Sequence, residues 1–328
     1  MVSTVFTRPP DLPDRRVAEA VRSAWLLPVD SVEHVPVGFG SHHWVVTAAA
    51  RRWFVTVDAI TARNGSTRGT DVARLQAALA TAHLLHDLGL TFVVSPILAA
   101  NGDLLSPIGE LYVAALYPYV DGETFDWGPF ADRSSLRAVL DRLVTLHTAP
   151  LHAGHQARAD DFQVPGRDHL EKALADPSSQ RDNGVYAQPT GRLLSRQEAL
   201  IKDRFAQFDS LAADVMRRLD RSVVTHGEPH RANTIVTAAG VALVDWDTLL
   251  IAPPERDLWW LAREDVEVLA EYEHQTGTPV DPAALDLYQL RWDLTDVSLF
   301  AVQLLGPHDD DADARTAWQA LAGHLEPA

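Results

Sequence analysis

Residues 31–60, SVEHVPVGFGSHHWVVTAAARRWFVTVDAI, read as strand, Gly-containing turn, strand, turn, strand, which predicts three antiparallel strands. A sheet with an apolar face must be covered, and helical patterns stand on either side of this one. Residues 14–25 form a short amphipathic repeat, and residues 71–88 place Val72, Leu75, Leu79, Ala82 and Leu85 at helical spacing between an acidic start and Gly89. Residues 91–122, TFVVSPILAANGDLLSPIGELYVAALYPYVDG, predict two or three further strands divided by the Asn101-Gly102 turn. Beyond them the pattern becomes helical over 132–147, with Ser134 or Ser135 as cap, and over 196–219, 282–305 and 312–325. An irregular excursion rich in Gly, Pro, Asp and Gln, with one short helical stretch, is expected over 151–191. This order predicts an α+β chain: a small β-rich lobe over 1–116, a connector over 117–122 and a larger, mainly α-helical lobe over 123–328. The cleft between the lobes is the expected site.

Composition narrows the function classes. A chain of 328 residues has room for two lobes sharing one interface. It has no cysteine, which excludes a disulfide framework, a thiolate zinc site and a thiol nucleophile. The opening MVSTVFTRPPDLPDRR has no apolar stretch after a basic start, and no apolar run reaches the roughly 20 residues of a membrane span, so the expected location is cytoplasmic. A formal net charge of −17 without a basic stripe argues against nucleic acid as partner. It suits a cationic small molecule, although an acidic surface also serves solubility alone.

The most informative stretch is 222–248, SVVTHGEPHRANTIVTAAGVALVDWDT. Val223–Thr225 reads as a short strand, THGEPHRAN as a polar loop, and Thr234–Thr237 with 241–244 as a hairpin. If Thr237 faces Val241, Asn233 faces Asp245; a bulge at Gly240 shifts the pairing by one, and the amide oxygen and the carboxylate still converge at the open end. Two such oxygen ligands suit Mg²⁺, which completes its octahedron with phosphate and water. Glu228 precedes Asn233 by the separation that divides catalytic acid from metal-binding Asn in the kinase pattern H-R-D-x-x-x-x-N.

Here the sequence resembles the aminoglycoside phosphotransferase and choline kinase superfamily, whose HGDxxxxN signature is matched by His226-Gly227-Glu228 through Asn233. VDWD with Asp245 is similar to the DFG-like aspartate, and APPERDLWWL with Asp257 to the motif that braces the catalytic loop. LYPYVDGETF at 116–125 and LVTLHTAP at 143–150 extend the likeness over nearly the whole chain, nearest to the spectinomycin phosphotransferase branch. The resemblance implies a two-lobed protein-kinase-like fold using ATP or GTP with Mg²⁺. It implies that Glu228, Asn233 and Asp245 are catalytic and that Asn233 and Asp245 hold the metal. Asp247 either reaches a second metal position or caps the next turn. Main chain around Tyr117, Tyr119 and Val120 would read the nucleobase, with Gly38, Gly40 and Ser41 of the glycine turn near its phosphates. His226 would be architectural, with Asp257 as brace. Zinc binding by His226 and His230 is disfavoured, because Gly227 and Pro229 oppose a helix and no third ligand is evident.

Three departures bear on activity. Glu228 stands where the family has Asp, and an extra methylene moves the carboxylate by ~1 Å, a displacement that can cost ~10²-fold in rate. The lysine that kinases place on the third strand is replaced in WFVTVDA by Thr56, and no lysine precedes Lys172. Its usual glutamate partner is absent too, since 72–86 contains no acidic residue. Losing one member of such a pair strands a charge at ~3–5 kcal/mol, whereas losing both is nearly neutral for stability. Substitutes for the lysine are main-chain N–H groups of 38–41, or His42, His43 or Arg74.

Asp121 and Glu123 beside the connector are acceptor candidates. So are Trp259, Trp260 and Trp292 with Glu264, Asp265, Asp293 and Asp296, which suit an amine-bearing acceptor as an aromatic, acidic pocket but serve equally as core and helix surface. Asp309-Asp310-Asp311 favours the start of the last helix. The expected function is phosphoryl transfer to a hydroxyl of an aminoglycoside-like or related aminated small molecule. The alternative is a pseudokinase that binds nucleotide or ligand without transfer. The pattern leaves the oligomeric state open.

Overall fold

The computed structural model describes residues 6–38, 40–60, 68–150, 154–176 and 183–326. Helix α1 (Asp14–Trp25) precedes three antiparallel strands, β1 (Val29–Val35), β2 (His42–Ala48) and β3 (Arg51–Ala59), and helix α2 (Arg68–Asp87) follows them. Strands β4 (Ser106–Ile108) and β5 (Tyr112–Pro118) complete a five-stranded sheet in the order β1-β2-β3-β5-β4. The pleat sorts its side chains. Trp44, Val46, Val55, Val57, Ala114 and Leu116 pack on one face with Val17, Val21 and Trp25 of α1. Ala115 and Tyr117, on the other face, pack with Leu75 and Leu79 of α2.

The rest of the chain is mainly helical. Strand β6 (Glu123–Thr124) leads into α3 (Arg133–Thr148), α4 (Arg167–Ala175) and α5 (Ala187–Val215), and a 3₁₀ turn (Met216–Arg221) leads to β7 (Val223–Thr225). The hairpin of β8 (Thr234–Thr237) and β9 (Gly240–Leu243) is followed by β10 (Leu250–Ala252), then α6 (Glu255–Ala262), α7 (Glu267–Thr276), α8 (Pro282–Leu305) and α9 (Ala312–Leu325). A second core joins Leu140 and Leu143 of α3, Phe205 of α5, Trp246, Leu258 of α6, Leu294 and Phe300 of α8 and Leu321 of α9. Among the described residues no helix is long and apolar enough to cross a membrane.

Several expectations are corrected. The run 91–96 forms no strand: Val94 N–H donates to Leu243 O at 3.1 Å and Leu243 N–H to Phe92 O at 2.8 Å. Phe92 and Val93 are thereby spent on joining the end of α2 to the β8–β9 hairpin, and Pro96 offers no N–H for a ladder. Helix α5 begins at Ala187, inside the stretch expected to be irregular, because Pro189 fits a first helical turn, and Gly191 is buried within the helix. Residues 151–153 and 177–182 of that stretch lie outside the described residues, as does Phe39 of the glycine turn. The cap of α3 is Asp132, whose carboxylate accepts from Ser135 N–H at 2.8 Å, rather than either serine. At α9 it is Asp311 of the acidic run that caps, accepting from Ala314 N–H at 2.9 Å.

Candidate active site

The loop from β7 to β8 is held from beneath by one buried carboxylate. Asp257, near the start of α6, accepts from the main-chain N–H of His226 at 2.8 Å, from Gly227 N–H at 2.6 Å and from His147 Nε2 of α3 at 3.0 Å. Burial alone would raise its pKa, but the His147 hydrogen bond and charge, with the nearby Arg256 guanidinium, bring it below the usual carboxylate range. His147 is oriented in turn by the Tyr272 hydroxyl at 3.0 Å.

Gly227 adopts φ +103°, and a Cβ there would stand 2.4 Å from the Arg256 guanidinium. That guanidinium is itself tied to Thr225 Oγ1 at 2.8 Å and Thr248 O at 2.7 Å, so the turn requires glycine. His226 is fully buried, and both of its ring nitrogens are used: Nδ1 accepts from Glu228 N–H at 3.2 Å and Nε2–H donates to Val244 O at 2.8 Å. Burial lowers its pKa to about 4, so it is a neutral ring at physiological pH.

The hairpin pairs Thr237 with Gly240 and Val236 with Val241, one residue away from the simplest expected register. Asn233 therefore lies opposite Val244, whose N–H donates to Asn233 O at 3.0 Å. The Asn233 amide Nδ2 donates to Glu228 O at 3.0 Å, which leaves its side-chain oxygen as the outward atom. The next residue after Val244 is Asp245, in the left-handed region at φ +66°, an uncommon conformation for a non-glycine residue and a costly one. Its side chain is solvent-accessible, yet the surrounding protein closes round the carboxylate closely enough to limit its hydration. Desolvation, then the charges of Asp247 and Glu228, a hydrogen bond with Asp247 and the charge of Asp58 push its pKa well above the carboxylate range. Crowded carboxylates of this kind attract a cation. Among the described residues no three His, Asp or Glu side chains are placed to hold a metal by themselves, so a cation here would draw most of its oxygens from phosphate and water.

The five-stranded sheet carries the remaining candidates. Ser41 is buried and its hydroxyl donates to Asp58 Oδ1 at 2.7 Å, while Gly38 and Gly40 take φ +80° and +90° in the glycine turn. Thr56 lies between His43 and Ala115 in the sheet register. Desolvation, then the charges of Asp245, Asp58 and Asp247, raise the pKa of the Tyr117 phenol well above its usual value, against a hydrogen bond from Thr56. Tyr119 lies under the Arg52 guanidinium at 3.9 Å, and Arg52 also pairs with Asp121. Val120 follows, and Glu123 pairs through its main chain with Val236 in the β6–β8 ladder, its side chain exposed.

Next to Glu228 is an aromatic cluster. His230 Nε2 is 3.7 Å from Glu228 Oε2, and the His230 ring meets Trp127 at 4.4 Å and Trp260 at 5.1 Å between centroids. Trp260 and Trp292 meet edge to face at 4.7 Å. Trp259 and Trp260 are buried, whereas Trp127 is 56% exposed. Trp127 was not singled out from the sequence; its place in the aromatic run ETFDWGPF was the available signal. Asp293 and Asp296 flank the cluster on α8 and both pair with His324 of α9, at 3.5 and 3.1 Å. Glu264 and Asp265 are directed elsewhere: Glu264 accepts from Phe130 N–H at 2.8 Å and Asp265 pairs with Arg133 of α3.

Comparison with known proteins agrees with this architecture. Residues 31–288 match the model of the APH phosphotransferase enzyme family. Protein StrN of Streptomyces griseus is 28% identical over 248 residues, 74% of each chain. Among solved structures, spectinomycin phosphotransferase APH(9)-Ia in complex with ADP and spectinomycin superposes with a TM-score of 0.74 at 15% identity, covering 97% of this chain and 96% of its own. Choline kinase LicA from Streptococcus pneumoniae gives 0.58 at 16% identity over 96% and 99%. An amicoumacin kinase in complex with AMP-PNP and Ca²⁺ gives 0.62 at 13% over 96% and 94%.

Proposed function

The chain belongs to the APH phosphotransferase enzyme family, and from that premise we propose that it transfers the γ-phosphoryl group of ATP or GTP to a hydroxyl of an aminated small molecule, of aminoglycoside or aminocyclitol type. The observation that carries the reading is that Asn233, tied to the Glu228 main chain, and the strained Asp245 stand together at the open end of the hairpin, beside a loop held by Asp257. In this reading Asn233 and Asp245, with Asp247 beside them, hold Mg²⁺, which neutralises charge on the phosphates when bound. Glu228 orients the acceptor hydroxyl and takes its proton. Main chain over 117–120 pairs with the nucleobase, and the turn of Gly38, Gly40 and Ser41 covers the phosphates. The aromatic faces of Trp127, Trp260 and Trp292, with Glu228 and Asp293 nearby, suit an ammonium group on the acceptor. The lobes then divide at 1–116 and 123–328, and the protein works in the cytoplasm.

Replacing Asp245 tests the assignment. Asp245→Asn is expected to abolish Mg²⁺-dependent thermal stabilisation by ATP and to lower turnover at least ~10²-fold; undiminished binding and turnover would contradict it. A pseudokinase is the second reading, favoured by Thr56 at the lysine position and by the extra acid Asp58 two residues on. Multiple-turnover transfer to any acceptor in an aminocyclitol and aminoglycoside panel excludes it.

A further inference from the structure

The absent lysine leaves a defined place in the cleft, and its occupants suggest how the phosphates are gripped without it. Thr56 lies in mid-strand on β3, paired with Ala115, and Tyr117 is two residues further along β5 on the same face of the sheet. Asp58, two residues further along β3 on that same face, accepts from Ser41 of the glycine turn at 2.7 Å, which sets the pair beside that turn. The Thr56 hydroxyl hydrogen-bonds the Tyr117 oxygen, and the phenol lies within the electrostatic reach of Asp245, Asp58 and Asp247. A phenol is protonated throughout the physiological range, so the pair offers uncharged O–H groups. The neighbouring helix fits the exchange, since 72–86 offers no carboxylate that a strand lysine could pair with. A lysine would have been buried without that partner, whereas two hydroxyls satisfy each other.

We propose that Thr56 and Tyr117 form a neutral hydroxyl pair that positions the nucleotide phosphates from the sheet side, in place of a strand lysine. The pair acts on the polyphosphate and not on the nucleoside. Neutral donors hold an anion less tightly than an ammonium does, so binding of ATP depends on divalent cation more steeply than it would with a lysine at this position.

The inference rests on the phosphotransferase reading, and calorimetric titration of the whole chain with ATP and with adenosine, with and without MgCl₂, separates the two. Tyr117→Phe and Thr56→Val should each weaken ATP binding about three- to tenfold while adenosine binding stays as in the wild type. Thr56→Ser should keep wild-type affinity, and Thr56→Lys should bind ATP more tightly than the wild type when Mg²⁺ is omitted. Thr56→Val preserves side-chain shape, so it decides the matter alone if Tyr117→Phe lowers the melting temperature. An ATP-to-adenosine affinity ratio unchanged in Thr56→Val overturns the proposal and leaves the phosphotransferase reading standing. Wild-type protein that binds neither ligand overturns both.

Discussion

At the residue scale, the buried polar groups under the loop show why this segment tolerates little change. Asp257 spends both oxygens on two main-chain N–H groups and one imidazole, and His226 spends both ring nitrogens on the loop and on Val244. A buried donor without its acceptor costs about 1–3 kcal/mol, so each of these side chains holds its neighbours as much as itself. The depressed pKa of His226 makes this measurable. Its folded value of about 4 lies below the ordinary 6.5, so the unfolded chain takes up a proton in that window that the folded chain refuses. Stability is therefore complete above pH ~6.5, falls as pH drops toward 4 and gains no further slope below that. The expected loss from this group is about 3 kcal/mol. Urea titrations at pH 7, 5.5 and 4 should show it in the wild type, and His226→Gln should be less stable at pH 7 with that part of the slope removed.

At the element scale, the hairpin and its preceding loop are positioned by turn chemistry. The two-residue turn at Ala238-Ala239 sets the β8–β9 register, and the register places Asn233 opposite Val244, so that Asp245 begins the next turn. The sequence left this pairing open by one residue because the apolar alternation of β8 and β9 is short, and a short alternation does not pin a register. Gly227 is the conformational weak point. Gly227→Ala would need both a left-handed alanine and displacement of Arg256 from Thr225 and Thr248. It is expected to destabilise the protein by about 1–3 kcal/mol and to depress turnover more than nucleotide affinity. Chemical denaturation with steady-state kinetics checks this, and wild-type stability would show that the loop relaxes freely. The opposite lesson comes from 91–96: its strand propensity is overruled because Phe92 and Val93 are worth more in the core beneath the hairpin than in an isolated edge strand.

At the scale of the whole molecule, there are two separate cores, one around α1 and the five-stranded sheet, the other among α3, α5, α6, α8 and α9. The aromatic cluster to which the proposed function assigns the acceptor is built from distant segments: Trp127 after β6, His230 in the loop, Trp260 on α6 and Trp292 on α8. Because Trp127 is exposed while its partners are not, it is the ring that the proposed acceptor would meet first. Trp127→Ala is expected to raise KM for an aminated acceptor about tenfold with kcat little changed, and steady-state kinetics with an acceptor of the panel decides it. An unchanged KM would remove the cluster from acceptor binding. The β-then-α order and the spacing of Glu228, Asn233 and Asp245 were determined by the sequence itself, because periodicity and loop chemistry are local properties of the chain. The aromatic cluster around Trp127, the pairing of Tyr117 with Thr56 across two strands, and the departure of Glu264 and Asp265 to other partners were decided only in the tertiary structure. Each depends on which elements pack side by side, and a long-range contact of that kind leaves no local pattern in the residues that make it.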